Sequence, residues 1–339
     1  MTNPAPFLSI IIVNYFSIEL IHACIASVYR QTSDFPFEII VVDNSSDVKG
    51  KSDVLITYPD VQWIDMGYNS GFSRANNAGM KLAKGDTFLL LNPDTLVLDN
   101  SIELCYHKLN QSHFAAAGVQ LLDEVKAPQI SGSFFVKGGL NHLLPIPYWG
   151  SFLRWLGYRT GSKVPGVQQA KKVEEVDWIS GAFLMVKRAA VEKAGLMDED
   201  FFLYSEEVEW CSRLKKAGPL CLFGDLRIVH LEGATINKSQ QVQERGYYNL
   251  YDKKGLQLMV SNHLRVRKQY GSGWFLFLLL NYTWGVFVFW IASFFHQLLT
   301  FKNPFAQWGR VAQFGSNVMH LWGLAPTIIR NKPHFYKMF

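Results

Sequence analysis

The chain has 339 residues, an apolar fraction of 49% and four widely spaced cysteines. This length allows one large domain or two smaller ones. The cysteines form no C-x-x-C pair, so neither a zinc ribbon nor a disulfide framework is indicated, and a reducing, cytosolic environment fits best.

The net charge of +5 is unevenly distributed along the chain. Residues 1–252 hold 23 Lys and Arg against 28 Asp and Glu, a net charge of −5. After Asp252 there are ten Lys and Arg and no acidic residue. An acidic part is therefore followed by a strongly basic one.

The basic segment also contains the longest apolar run, Gly273 to Leu299. About 20 apolar residues suffice to cross a bilayer, and this run has the tryptophans and tyrosine typical of membrane interfaces. Basic residues stand on both sides of the run, so their distribution fits a spanning helix and an in-plane helix on an anionic leaflet equally well. A buried core helix is the third interpretation. We predict a first domain over 1–252 and a membrane-associating helical region over 253–339.

The first part of the chain alternates apolar runs with helical patterns. The pattern predicts, in order, a strand at 8–13, a helix from Ser17 to Gln31, strands at 37–42 and 61–66, a helix at 72–83 and a strand at 87–91. This rhythm indicates an α/β fold with a parallel sheet, in which ligands bind beyond the carboxyl ends of the strands.

The following segment is less regular. It predicts, in order, a helix at 99–110, two short strands between 115 and 136, a long loop at 137–172, a strand at 176–188, a helix at 205–218 and two short strands within 220–233.

The strand at 87–91 ends in Asn92-Pro93-Asp94. Proline cannot donate to a sheet, so strand pairing must stop there, and the Asp94 carboxylate suits a hard divalent cation. A simple turn explains the same three residue types.

Two further polar clusters follow predicted strands. Asp43 ends the strand at 37–42, where a carboxylate can accept hydrogen bonds from a base or a ribose, or simply form a turn. The stretch 68–79 places several asparagines and Arg74 at the start of a helix, which suits a phosphate. Neither a G-x-G-x-x-G nor a P-loop motif is present.

An acidic stretch, 198–209, holds six acids within twelve residues. Glu206 and Glu207 stand at a helix start, where the helix dipole favours them, and Glu209 can pair with Arg213. Alternatively, one glutamate faces a pocket and removes a proton from a substrate hydroxyl. His230 ends a strand and is either structural or a metal ligand beside Asp94.

Seven motifs occur in order between about residues 8 and 235: SIIIVNY, VVDNSS, NSGFSRANNAG, LLLNPDTLV, WISGAFLMVKR, DEDFFLYSEEVEWCSRL and VHLEGA. Together they resemble the inverting family 2 glycosyltransferases of the Rossmann-like GT-A fold, and within them the rhamnosyltransferase-like branch. Two positions depart from the family pattern. Asn92 replaces the first acid of the D-x-D motif, and Glu206-Glu207 replaces Glu-Asp.

The resemblance implies a role for each matching residue. Glu207 would be the catalytic base, with Glu206 as the alternative, and Asp94 and His230 would hold Mg2+ or Mn2+. The nucleotide-sugar would contact Asn14, Asp43, Asn69, Gly71, Arg74, Asn77, Asn92, Asp94, Gly181 and Ala182.

The function implied is transfer of a sugar, most readily L-rhamnose from dTDP-L-rhamnose, to a polyprenyl-diphosphate-linked glycan for bacterial surface polysaccharide. The enzyme would act at the cytoplasmic face of the plasma membrane, and the segment 137–172, with Trp149, Arg154 and Trp155, would close over the acceptor. Deletion of 253–339 would then spare donor binding but abolish turnover on lipid acceptors. The alternatives are a UDP-hexose-dependent enzyme of the same fold and a catalytically silent nucleotide-sugar-binding scaffold.

Overall fold

The computed structural model describes residues 8–32, 35–45, 48–159, 165–231 and 249–339. Its strands are β1 (Leu8–Asn14), β2 (Phe37–Asp43), β3 (Gln62–Asp65), β4 (Thr87–Leu91), β5 (Thr95–Val97), β6 (Ala116–Leu122), β7 (Gly132–Ser133), β8 (Val173–Val176), β9 (Trp178–Ile179), β10 (Phe183–Lys187) and β11 (Leu220–His230). Its α-helices are α1 (Ile18–Gln31), α2 (Val48–Thr57), α3 (Gly71–Leu82), α4 (Ser101–Asn110), α5 (Trp149–Arg159), α6 (Arg188–Ala194), α7 (Glu206–Leu214), α8 (Lys253–Tyr270), α9 (Ser272–Leu299) and α10 (Trp308–Arg330). A 3-10 helix covers Lys137–Leu143.

The chain forms two compact units. The first comprises 1–134, 166–199 and 207–243, and the second comprises 135–165, 200–206 and 244–339. The division at 252 that we predict from the sequence remains a prediction.

A nine-stranded sheet, in the order β3-β2-β1-β4-β10-β6-β11-β5 with β8 beside β11, forms the centre of the first unit. Strands β1 to β4 run parallel, and their continuous aliphatic runs are buried because helices cover both faces. The α/β prediction is confirmed, but the sheet is mixed. Strand β10 runs antiparallel between β4 and β6.

Two local predictions in the first unit are wrong. A helix, α2, connects β2 to β3, where we predict none. Its sequence contains glycine, serine and aspartate, and Val54 is a fully buried residue on it, so its apolar pattern is weak. The segment 220–233 contains one long strand, β11, whose register shifts between Phe223 and Arg227. Residues 232–234 of the VHLEGA motif lie outside the described residues.

The second unit is helical and has its own apolar core, formed by α8, α9, α10 and the segment that follows β7. The predicted loop at 137–172 is wrong, because it contains the 3-10 helix and α5. The large side chains Phe152, Trp155 and Leu156 of α5 are exposed, so the helix lacks the usual pattern of a core-facing stripe.

The segment Asp200–Glu206 also belongs to the second unit and is anchored at both ends. The Asp200 carboxylate accepts hydrogen bonds from Lys268 Nζ at 2.7 Å and from the backbone N–H of His334 at 2.9 Å. Ser205 Oγ donates to Asn262 Oδ1 at 2.6 Å. Tyr204 and Ser205 have φ of 71° and 64°, a conformation that non-glycine residues adopt only when neighbouring contacts hold them there.

Candidate active site

The carboxyl ends of β1 and β2 bring Asn14 and Asp43 together. The two strands pair in parallel with Asn14 opposite Asp43, and both residues are fully buried. Asp43 Oδ1 accepts hydrogen bonds from Asn14 Nδ2 at 2.7 Å, from Ser45 Oγ at 2.6 Å and from the backbone N–H of Ser45 at 3.0 Å. Asn14 Oδ1 accepts from the backbone N–H and the hydroxyl of Ser17. This network fixes the Asp43 carboxylate at the sheet edge.

Asn44 links the end of β2 to the start of α3, a role that sequence reasoning missed. Its Oδ1 accepts from Ser70 Oγ at 2.7 Å and from the backbone N–H of Ser70 at 3.2 Å, and its Nδ2 donates to Gly71 O at 3.1 Å. Asn69 Oδ1 accepts from the Gly71 N–H, and Gly71 has a φ of 76°, which favours glycine. The turn before α3 is therefore held in one conformation.

Two predicted ligand contacts on α3 already have protein partners. The Asn77 amide donates to Met197 O at 2.9 Å and accepts from Met197 N–H at 3.0 Å. Arg74 Nε donates to the carbonyl of Glu199 at 3.2 Å. Through these contacts both residues hold the 197–199 loop in place. Their predicted contact with a nucleotide-sugar stays a prediction.

The Asn92-Pro93-Asp94 corner connects β4 to β5. The Asn92 N–H donates to Ala182 O at 3.1 Å, and the Asn92 carbonyl accepts from Thr95 Oγ1 at 2.8 Å. Burial raises the pKa of the Cys24 thiol to about 12, and this neutral group also points at the Asn92 carbonyl. The corner thus has the strand end and the turn that the sequence predicts.

Asp94 lies beside His230, as predicted. Strand β5 pairs antiparallel with β11, with Thr95 opposite His230, which places Asp94 Oδ1 3.6 Å from His230 Nε2. Both side chains are largely buried. The segments are far apart in sequence, and the β5–β11 pairing alone brings them together.

Gln129 determines which nitrogen of His230 faces Asp94. Its Nε2 donates to the His230 carbonyl at 3.0 Å, which orients the amide and leaves Oε1 3.1 Å from His230 Nδ1. Because Oε1 can only accept, Nδ1 must carry a proton, and Nε2 is the ring nitrogen that faces Asp94.

This arrangement fits a divalent cation. A carboxylate oxygen and an imidazole nitrogen are ordinary metal ligands, and Asp94 Oδ1 and His230 Nε2, 3.6 Å apart, are close enough to bind one cation together. Among the described residues, no three or more His, Cys, Asp or Glu cluster as a metal site. A cation at Asp94 and His230 would therefore depend on a ligand such as a diphosphate for the rest of its coordination shell.

The three glutamates at the start of α7 have different surroundings. Glu209 is buried and pairs bidentately with Arg213, whose guanidinium also donates to the carbonyls of Ala194 and Leu196. Glu206 is buried, and it belongs to the second unit. Glu207 is half-buried in the first unit.

Glu207 lies next to the predicted sugar-binding glycine. A methyl group at Gly181 would lie 3.8 Å from Glu207 Cγ and 3.4 Å from the Phe72 ring. The adjacent residue, Ala182, is the one whose carbonyl accepts from Asn92. Within the first unit, Gly181 therefore lies next to Glu207, and the adjacent residue Ala182 is hydrogen-bonded to the Asn92–Asp94 corner.

Residues 9–128 match the family model described as Glycosyl transferase family 2. The low-salt glycan biosynthesis hexosyltransferase Agl10 of Haloferax volcanii is 29% identical over 62% of this chain and 62% of its own length. The N-acetylglucosaminyl-diphospho-decaprenol L-rhamnosyltransferase of Mycobacterium tuberculosis is 26% identical over 56% of this chain and 64% of its own length. The dTDP-rhamnosyl transferase RfbF of Shigella flexneri is 27% identical over 67% of this chain and 72% of its own length. This chain therefore spans less than two thirds of the length of the first two relatives.

Two solved structures share the fold. The mannosyltransferase PcManGT of Pyrobaculum calidifontis, in complex with GDP-Man and Mn2+, aligns with a TM-score of 0.51 and 14% identity over 95% of this chain and 87% of its own. S. aureus TarS 1-349, in complex with UDP, aligns with a TM-score of 0.51 and 12% identity over 96% of this chain and 88% of its own. Both comparisons confirm the predicted GT-A-like fold.

Proposed function

We propose that this chain, whose residues 9–128 match the Glycosyl transferase family 2 model, is an inverting, metal-dependent transferase that moves L-rhamnose from dTDP-L-rhamnose to a glycan hydroxyl. The observation that carries the proposal is the meeting of Asp94 and His230 beyond the end of β4, with His230 Nε2 3.6 Å from Asp94 Oδ1. The two relatives named as rhamnosyl transferases support the choice of donor sugar.

In this proposal each residue of the rim acts on one part of the donor. Asn14 and Asp43 bind the base and ribose, and the residues around Asn69 and Gly71 line the diphosphate-sugar pocket together with Ala182. Asp94 and His230 hold Mg2+ or Mn2+. When bound, the cation neutralises charge on the diphosphate and so makes it a better leaving group.

Glu207 is the proposed base. It takes the proton of an acceptor hydroxyl as that oxygen bonds to the anomeric carbon, and the bond from this carbon to the diphosphate breaks on the opposite face. The nucleoside diphosphate leaves with the bonding electron pair, and the configuration inverts. The pairing of Glu209 with Arg213 supports Glu207 over Glu209 as the base, and Glu206 remains the alternative.

The proposed acceptor is a polyprenyl-diphosphate-linked glycan at the cytoplasmic face of a bacterial plasma membrane. A relative named for a diphospho-decaprenol substrate supports a lipid-linked acceptor. The apolar helix α9, with its basic surroundings, supports a membrane location.

A UDP-hexose-dependent transferase is the second candidate, because the hexosyltransferase Agl10 matches at least as well as the rhamnosyl transferases. A catalytically silent scaffold is the third, because the family's Glu-Asp is Glu206-Glu207 here. A screen separates all three. The purified full-length chain is incubated with Mg2+ or Mn2+, a panel of nucleotide sugars and a polyprenyl-diphosphate acceptor, and nucleotide release is measured.

We expect release from dTDP-L-rhamnose by the wild type, and a rate lower by roughly 100-fold or more for Glu207→Gln, the usual effect of losing a general base. Asp94→Ala should lose metal-dependent turnover. The exposed residue Glu192 provides the matched control, and Glu192→Gln should retain full activity. Release from UDP-hexoses alone would overturn the donor assignment, and a wild type as slow as Glu207→Gln would support the scaffold.

The deletion of 253–339 is unsuitable for this test. It would remove Lys268, Asn262 and the 334–336 segment, which hold Asp200 and Ser205. The deletion would therefore also remove the contacts of the segment 200–206, so point substitutions are used instead.

A further inference from the structure

Helix α9 has one apolar face that is buried in the protein and another that is exposed. One face is buried in the second unit along most of the helix, through Phe275, Leu278, Tyr282, Gly285, Phe289 and Ser293. The opposite face is exposed at a spacing of three or four residues, through Leu276, Leu280, Trp284, Phe287, Ile291 and Phe295. The exposed stripe is about 29 Å long at 1.5 Å per residue. A continuous exposed apolar patch of this size marks an interaction surface.

Neighbouring helices flank the stripe on both sides. Trp149 Nε1, at the start of α5, donates to Asn281 Oδ1 at 3.2 Å, and Trp322 Nε1 of α10 donates to Thr283 Oγ1 at 2.9 Å. Asn281 and Thr283 lie on either side of the exposed stripe when the helix is viewed along its axis.

Helix α5 adds exposed aromatic and basic side chains. Trp149, Phe152 and Trp155 stack in sequence, and Phe152 and Trp155 are about half exposed. The Arg159 guanidinium lies 4.2 Å from the centre of the Trp155 ring. Tryptophan beside arginine is typical of a membrane interface, where one part of the pair meets acyl chains and the other meets headgroups.

The positive charge of the second unit favours binding to an anionic partner. Its three segments contain 15 Lys and Arg against 4 Asp and Glu, a net charge of +11. Arg154 and Arg159 on α5, and Lys302 and Arg310 after α9, are exposed. Phe301 and Phe305, beside these last two cations in the sequence, are exposed as well. Apolar side chains surrounded by cations match a leaflet of anionic lipid.

The packing of α9 opposes a transmembrane orientation. Its buried face contacts α8, which buries Gln257, Asn262 and Arg265, and α10, which exposes polar side chains. Both neighbours would have to follow α9 into hydrocarbon, where their polar groups would be costly. Among the described residues, α9 is the only helix that is long and apolar enough to cross a membrane.

We propose that the exposed stripe of α9, together with the exposed faces of α5 and of the turn at 300–308, forms a monotopic docking surface that lies in the plane of an anionic bilayer. The proposal deepens the proposed function, since it rests on the membrane-bound acceptor and states how this chain would meet the membrane.

The first test is vesicle binding by the full chain. Sedimentation with phosphatidylcholine vesicles, with and without phosphatidylglycerol, should show binding that requires the anionic lipid and weakens with salt. Trp284→Ser and Trp155→Ser should each reduce partitioning about tenfold through lost apolar burial. Lys302→Gln should reduce it about fivefold. Ile56→Ser, which removes an exposed aliphatic side chain from the first unit, is the matched control and should bind as the wild type does.

The second test separates lying in the interface from spanning. The four native cysteines are buried, so Gly273→Cys and Thr300→Cys place single accessible thiols at the two ends of α9. With protein added to sealed vesicles, an impermeant maleimide outside should label both variants equally. Labelling of one end only would show a spanning helix and overturn the proposal.

Other outcomes also overturn it. A wild type that stays with the supernatant at every lipid composition has no such surface. A wild-type dimer that Trp284→Ser converts to a monomer, without any vesicle binding, would assign the stripe to a second copy of the chain. Nucleotide release on a soluble short-chain acceptor, measured in parallel, distinguishes the two proposals. If release persists while vesicle binding is absent, only the docking surface fails.

Discussion

Replacement of Gln129 by leucine tests whether this residue sets the tautomer of His230. The substitution removes the donor to the His230 carbonyl, at 3.0 Å, and the acceptor of the Nδ1 proton, at 3.1 Å. His230 could then protonate Nε2 instead, and that nitrogen would no longer have a lone pair for a cation. Partners that orient a metal-binding histidine typically contribute roughly 10- to 100-fold in metal affinity. We expect Mn2+ affinity to fall by about tenfold, the lower end of this range, because the β5–β11 pairing still holds the His230 backbone.

Mn2+ binding in the presence of a nucleoside diphosphate is the first assay, measured from the signal of free Mn2+ by electron paramagnetic resonance. The second is the 15N chemical shift of the His230 ring nitrogens without metal, which reports the tautomer directly. Gln129→Glu keeps an acceptor for Nδ1–H and should keep the tautomer. Gln111→Leu, an exposed glutamine on the C-terminal side of α4, is the control. Unchanged Mn2+ affinity together with an unchanged tautomer in Gln129→Leu would refute the reasoning.

Three further substitutions or conditions have defined outcomes. Asn44→Ala should lower the free energy of unfolding by about 1–3 kcal/mol, since buried partners at Ser70 and Gly71 lose their hydrogen bonds, and urea titration measures it. Gly181→Ala should fold normally, because its methyl group would make only ordinary contacts. It should reduce turnover about tenfold, because the methyl group narrows the space beside Glu207. Unchanged turnover would exclude Gly181 from the sugar site. Burial lowers the pKa of His263 from 6.5 to about 4. Between pH 4 and 6.5 the unfolded chain therefore binds more protons at His263 than the folded chain does. The free energy of unfolding should be insensitive to this group above pH 6.5 and should fall by about 1 kcal/mol per pH unit below it. Urea titrations across pH should show a smaller dependence on pH for His263→Gln.

The sequence predicts the rim of the candidate site well because the carboxyl ends of parallel strands must share one edge. Asn14 and Asp43 end two such strands and Asp94 follows a third, and the continuous aliphatic runs before them mark the strand ends. From the residues alone, His230 is either structural or a metal ligand beside Asp94, since their meeting depends on an antiparallel pairing between distant segments. Gln129 gave no signal at all, because a single glutamine in a loop has no periodicity and no motif.

The failures of prediction in the second unit have a common cause. Helical patterns are recognised when one face is apolar and the other polar. Helix α5 exposes aromatic side chains, and α9 is apolar all round, so the usual contrast is missing. The apolar length of α9 still predicted a membrane-associating element, but only its packing divides the helix into a protein face and a free face.

The way in which each polar side chain is bonded separates supporting residues from those placed to act on a substrate. The Glu209 carboxylate is committed to Arg213, and the Asn77 amide is committed to the backbone of Met197. Both contacts hold the loop and helix that border Glu207. The family resemblance assigns Asn77 to the ligand, and an asparagine within a helix has a stability cost that a polar partner must offset. Long-range contacts within the protein repay that cost equally well, so a polar residue at a helix start predicts a ligand only when its protein partners are known.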